Sequence, residues 1–114
     1  MLRRFQALGR LKPGAMNKTE TAYAELLELR RLAGEILWWK FEPFKIRLAD
    51  RTFYDVDFGV LAADGALQVH EVKGGFITDD AMVKVKVAAE HFPAAFFLCI
   101  KGKKSEPWQI REVA

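Results

Sequence analysis

Four residues of this 114-residue chain have the types and spacing that chemistry can use: Asp55, Asp57, Glu71 and Lys73. Asp55 and Asp57 alternate within an aromatic and β-branched stretch. Glu71 and Lys73 bracket Val72 in an otherwise apolar segment that ends at Gly74-Gly75. Alternate residues of a strand share a face. Asp64-Gly65 lies between the two stretches and predicts a tight hairpin, which brings one carboxylate of each strand within reach of one cation. A hard divalent cation such as Mg²⁺ takes oxygen ligands and keeps several waters, so two carboxylates and a backbone carbonyl suffice. A lysine beside them can orient or help deprotonate a metal-bound water. Those are the parts of metal-assisted phosphodiester hydrolysis. The same four residues also suit a solvated strand face carrying an ordinary ion pair, and spacing alone does not separate the two readings.

The elements that must position these residues can be read from periodicity and punctuation. Asn17 followed three residues later by Glu20 is a capping-box pattern, and it predicts a helix over about residues 17–33. Ala22, Leu26, Leu29 and Ala33 recur at helical spacing, and Gly34 is the expected stop. Residues 38–48 read as strand, broken or bent at Pro43, with a turn at Asp50-Arg51. A second strand over residues 52–61 alternates, placing Asp55 and Asp57 on one side and Tyr54, Val56, Phe58 and Val60 on the other. A third strand, 66–73, completes a meander. Thr78-Asp79-Asp80 offers caps for a second helix up to Phe92, with Ala81, Val85, Ala88 and Ala89 on one face and Pro93 as its stop. Residues 95–100 read as a buried strand and 108–113 as an edge strand. The expected fold is α/β, a mixed sheet flanked by helices, with residues 1–16 as a basic arm and 17–114 as one domain.

Composition bounds the rest. A 51% hydrophobic chain of this length can bury one core, and nine Phe with three Trp exclude a disordered tail. No apolar run is long enough to span a bilayer, and the basic start lacks a signal peptide's apolar stretch. The single cysteine, Cys99, excludes an internal disulfide framework and a cysteine-based zinc site. A soluble, cytoplasmic protein without a membrane partner or a small-molecule cofactor is expected. The net charge of +3 is modest, but its placement is uneven. Arg3, Arg4, Arg10, Lys12 and Lys18 precede the first acidic residue, and Lys101, Lys103 and Lys104 form a second cluster. Such segments serve either as phosphate-binding surfaces or as plain solubilising charge.

Asp57, thirteen intervening residues and then Glu71-Val72-Lys73 resemble the core of the PD-(D/E)XK nuclease superfamily. The element order is similar to that superfamily's restriction-endonuclease-like αβββαβ core. Asn17 to Glu20, Phe41-Glu42-Pro43, Phe53-Tyr54 and His70 to Gly74 look like small phage-encoded endonucleases. The resemblance covers about residues 16–113 and leaves the arm unexplained. It implies that Asp57 and Glu71 bind metal with the Val72 carbonyl, that Lys73 is the catalytic lysine, and that Glu20 lies near the metal. Mg²⁺ is the implied cofactor, with Mn²⁺ as a substitute, and DNA the implied partner. A phage role in recombination, replication or packaging, on branched DNA or otherwise, would place the protein in a bacterial host's cytoplasm. Val56 departs from the pattern, standing where proline commonly precedes the aspartate, and Asp55 offers a rival ligand.

The remaining residues divide between function and packing. Glu20 suits either a cap for Asn17 or the metal site. Lys84 flanks the apolar face of the second helix and is a candidate phosphate contact alongside Lys18 and the Lys101–Lys104 cluster, whereas Lys86 points to the opposite side. His70 alternates away from Glu71, and His91 sits at a helix end. Cys99 is expected as an inert core thiol. Of Trp38 and Trp39, one is expected in the core and the other free to stack on a base or a second subunit. A chain of 13.0 kDa offers little surface for gripping a duplex, which suggests a homodimer. The rival function is a non-catalytic nucleic-acid-binding or assembly module whose carboxylates form structural ion pairs.

Overall fold

The structure, a computed structural model, describes residues 14–113, so the arm's Arg3, Arg4, Arg10 and Lys12 lie outside the described residues. Helix α1 (Lys18–Leu32) begins with the expected box. The Asn17 side chain accepts the Glu20 N–H at 2.8 Å, and Glu20 Oε1 accepts the Asn17 N–H at 2.9 Å. The exchange satisfies donors that a helix start otherwise leaves unpaired. Packing begins before residue 17, because Ala15 is buried and Met16 lies against the core.

The buried stripe of α1 differs from the expected one. Tyr23, Ala24 and Leu27 are buried, while Leu29 is 65% exposed and Ala33 faces solvent. The helix is turned by about one residue, roughly 100°, relative to the stripe drawn through its aliphatic side chains. Tyr23 accounts for the turn, because its ring packs against Phe58 and Trp108 while its hydroxyl finds buried polar partners.

Seven strands follow in two sheets. A five-stranded sheet has the spatial order β1 (Ile36–Phe41), β4 (Phe58–Ala62), β5 (Leu67–Lys73), β6 (Ala95–Ile100) and β7 (Gln109–Glu112). Strands β2 (Lys45–Ala49) and β3 (Thr52–Asp55) form a separate two-stranded ribbon. Only β5 and β6 pair in parallel, connected through helix α2 (Asp79–His91), so the sheet is mixed. Thr78 caps α2 as expected, and Val85 and Ala88 are its buried residues. The alternation of Val83, Val85 and Val87 therefore yields to the helical stripe, leaving Val83 59% exposed.

A core lies on each face of the sheet. Under α2 it is built from Ile46, Tyr54, Val56, Val69, Phe96 and Leu98; under α1 from Tyr23, Leu27, Phe58, Val60, Val72 and Cys99. The strand expected over residues 52–61 is two strands in different sheets. Tyr54, Val56, Phe58 and Val60 are all buried, but the first two enter the core under α2 and the last two the core under α1. Period-two burial runs straight through a junction at which the buried face changes sides, so alternation cannot reveal it. The ribbon leaves the sheet at Glu42-Pro43 and at Val56-Asp57, held by Glu42 N–H to Asp57 carbonyl at 2.7 Å. Gly59 makes room for the bend, since a Cβ there would lie 2.9 Å from Pro43 Cγ and 3.4 Å from the Trp38 ring.

Candidate functional site

The junction at Asp57 opens the ladder between β4 and β5. Phe58 pairs with His70, and the next position in register sets Asp57 opposite Glu71. There the chain turns away into the ribbon, and a side chain replaces the backbone partner: Asp57 Oδ2 accepts the Val72 N–H at 2.8 Å. On its other edge β5 stays paired with β6 as far as Lys73 and Ile100, and the Lys101 N–H donates to the Lys73 carbonyl at 2.9 Å. The end of β5 is thus held on one side and open on the other, with two carboxylates at the opening.

Glu71 is 6% exposed and lies on the same strand face as Val69 and Lys73. Its Oε2 is 3.2 Å from Lys73 Nζ. Its Oε1 accepts a short hydrogen bond from the Tyr54 hydroxyl, which reaches over from the ribbon. Burial holds the Asp57 carboxyl well above the usual carboxylate range, and the charges of Glu71 and Glu20 push it the same way against the Val72 N–H and Lys73. Burial likewise raises Glu20, with Glu42 and Glu71 adding to the shift while Asn17 and Lys73 oppose it. Glu20 completes the α1 cap and stands close enough to Asp57 and Glu71 to feel the charge of the pair. The start of α1 abuts the end of β5, where a Cβ on Gly74 would lie 3.5 Å from Thr19 Oγ1.

Asp55 does not join the pair. It sits exposed on the ribbon with Lys45 Nζ at 3.8 Å, because the break after β3 removes it from the face that Asp57 occupies. The expected side-sharing of Asp55 and Asp57 is corrected, and with it the rivalry over which carboxylate meets Glu71. Lys18 is exposed two residues before Glu20. Lys101 is half-buried and Lys103 and Lys104 are exposed in the loop that leaves β6, at the same end of the sheet as Lys73. Gly102 keeps that loop tight, since a Cβ there would come within 2.6 Å of the Pro107 carbonyl. Lys84 and Lys86 are both exposed on α2, and neither makes an ion pair among the described residues.

Sequence reasoning missed Tyr54 as a partner of Glu71. A buried tyrosine needs a partner for its hydroxyl, but alternation alone gave no reason for that partner to be a carboxylate on another strand. Glu42 was missed as a charge near Glu20. On the opposite face, as its alternation with Glu71 predicts, His70 lies buried. Its Nδ1 lies 2.5 Å from the Tyr23 hydroxyl, its Nε2 lies 2.9 Å from Gln68 Oε1, and the Cys99 thiol donates to the Tyr23 oxygen at 3.2 Å. Burial lowers His70 to about 4, helped by the charge of Arg30, and burial pushes the Cys99 thiol up to about 12. Both groups are neutral and inert at neutral pH. A groove of about 550 Å³ opens beside them, lined in part by Arg30, Gln68, Phe97 and Trp108, and Asp57, Glu71 and Lys73 are not part of its wall. Trp39 packs on Phe58 and donates its indole N–H to Glu28, while Trp38 is 39% exposed.

Comparison with family models, with curated proteins and with solved structures found no match to this chain.

The donor chemistry of the cleft fits a divalent cation. Among the described residues, Glu20, Asp57 and Glu71 face one nearby ammonium, that of Lys73. Asp57 Oδ1 makes no hydrogen bond among the described residues. No three His, Cys, Asp or Glu side chains of the described residues converge as a ligand set by themselves. Two carboxylates with a backbone carbonyl and waters need no third side chain.

Proposed function

We propose that the protein is a divalent-metal-dependent endodeoxyribonuclease. The observation that carries this reading is the convergence of Asp57, Glu71 and Lys73 where the β4–β5 ladder opens, with Asp57 anchored on the Val72 N–H. A solvated ion pair would not need a carboxylate in place of a ladder bond, nor a second carboxylate buried opposite it.

In this reading Asp57, Glu71 and the Val72 carbonyl hold Mg²⁺ or Mn²⁺, with Glu20 nearby. The cation supplies charge stabilisation for the phosphodiester and acidifies a bound water. The chain's own residues do the rest. Lys73 Nζ, tethered at 3.2 Å to Glu71, is placed to orient the attacking water and to neutralise charge that builds on the phosphate. Tyr54 holds Glu71 in one rotamer. Lys18, Lys101, Lys103 and Lys104 lie on segments that meet at this end of the sheet and offer cations to flanking phosphates.

The test is cleavage of supercoiled plasmid and of a synthetic four-way junction in Mg²⁺, Mn²⁺ or EDTA, with Lys73→Ala and Glu71→Ala run alongside. Metal-dependent cutting that falls by at least about a hundredfold in both variants is expected. A folded protein that binds DNA equally well with and without metal and cuts neither substrate would leave the binding-module reading instead.

A further inference from the structure

Phe76 is the most exposed large hydrophobic residue among the described residues, at 79%. It stands in the five-residue connection between β5 and α2, three positions after Lys73. The connection is anchored at both ends. Gly74 sits beside Thr19 of α1, Ile77 packs against the core under α2, and Thr78 caps that helix. Between these anchors Gly75 adopts φ +144°, a conformation that residues with a side chain rarely adopt, and Phe76 beside it stands exposed.

We infer that Phe76 is a stacking element that selects DNA with an unpaired or unstacked base beside the cut. The position of the cut rests on the nuclease reading; the stacking does not. Three residues of chain span at most about 11 Å, so the Cα of Phe76 lies within that distance of the Cα of Lys73. An aromatic ring amid basic residues is how proteins hold single-stranded nucleic acid, the ring taking a base and the lysines the backbone. Here the basic neighbours are Lys18, Lys73 and the Lys101–Lys104 loop. Asp79 and Asp80 open α2 three and four residues after Phe76 and would repel a phosphate there, so the loop itself offers a surface for a base and not for backbone. In a continuous duplex every base face is already covered by its neighbours. A junction, a flap or a single-stranded end leaves a face free, and that is the substrate class this loop fits.

The experiment uses the full-length protein in EDTA, so that binding is read without cutting, with and without Phe76→Ala or Phe76→Trp. The probes are a four-way junction and a flap carrying 2-aminopurine one nucleotide from the branch point, and a continuous duplex of the same sequence. Stacking predicts a fluorescence change on the branched DNAs that Phe76→Ala abolishes and Phe76→Trp retains. It also predicts a loss of affinity of about tenfold for branched DNA, the scale of one base–aromatic stack, against less than about twofold for the duplex. Equal losses on duplex and branched DNA, no loss on either, or failure to bind any of them would overturn the inference. The nuclease reading is read separately, from cutting by the unsubstituted protein. A protein that never cuts but loses the fluorescence change in Phe76→Ala would sink that reading and keep this one.

Discussion

Replacing Asp57 by Asn should make the protein more stable and inactive at once. The amide oxygen can still accept the Val72 N–H, so the bond that closes the open ladder is kept. What disappears is a charge that the fold disfavours, because burial, then Glu71 and Glu20, raise the Asp57 carboxyl from 3.8 to about 8. The sign follows from linkage. A group whose pKa is higher in the folded state than in the unfolded one contributes stability below its unfolded pKa, and that contribution is lost as pH rises through the folded pKa. At about 1.4 kcal/mol per unit, the loss at pH 7 is bounded by about 4 kcal/mol. Relaxation of Lys73 and entry of water into the open cleft reduce it to about 2 kcal/mol. Urea unfolding in EDTA at pH 4, 7 and 8.5 is the assay. Asp57→Asn should match the unsubstituted protein at pH 4 and exceed it by about 2 kcal/mol at pH 7, with a larger margin at pH 8.5. Adding Mg²⁺ should stabilise the unsubstituted protein and not the variant, since binding to the folded state alone shifts unfolding by mass action. A variant less stable at pH 7, or a margin independent of pH, would refute the picture of a strained carboxylate cluster.

Two further outcomes are expected from the same geometry. Tyr54→Phe removes only the hydroxyl that donates to Glu71 and should cost about 1.5–3 kcal/mol in urea unfolding; a cost near zero would mean that Glu71 does not depend on it. His70 is held neutral by burial, its pKa lowered from 6.5 to about 4. A histidine with a depressed folded pKa costs nothing above its unfolded value, and stability is lost as pH falls from about 6.5 to about 4. The loss should total about 3 kcal/mol and should be absent from the pH profile of a His70→Gln protein, compared by urea unfolding across that range.

Much of the architecture was legible because its signals are local. Asn17 and Glu20 form their box from adjacent turns, Thr78 caps α2, and Asp64-Gly65 closes the hairpin, each within four residues of chain. The pairing of Asp57 with Glu71 could be anticipated too, since a tight turn fixes the register of two strands. Side chains that meet across long separations were not legible. Tyr54 and Glu71 are 17 residues apart, and Tyr23 and His70 are 47 apart. Leu29 and Ala33 matched the helical period as well as the residues that are buried, and only the partners awaiting Tyr23 decide which face of α1 turns inward.

By itself, the sequence determined the two helices, the caps and turns, and the carboxylate–lysine set, because these depend on neighbours along the chain; the meander of three strands expected over residues 38–73 is instead five strands in two sheets. Tertiary structure alone decided that the strand after Asp50-Arg51 breaks at Asp57, that the buried face changes sides there, and that Asp55 is left on the ribbon while Asp57 meets Glu71. The reason is that alternation records whether a residue is buried and not which of two cores buries it. With a core on each face of the sheet, that choice belongs to the whole fold.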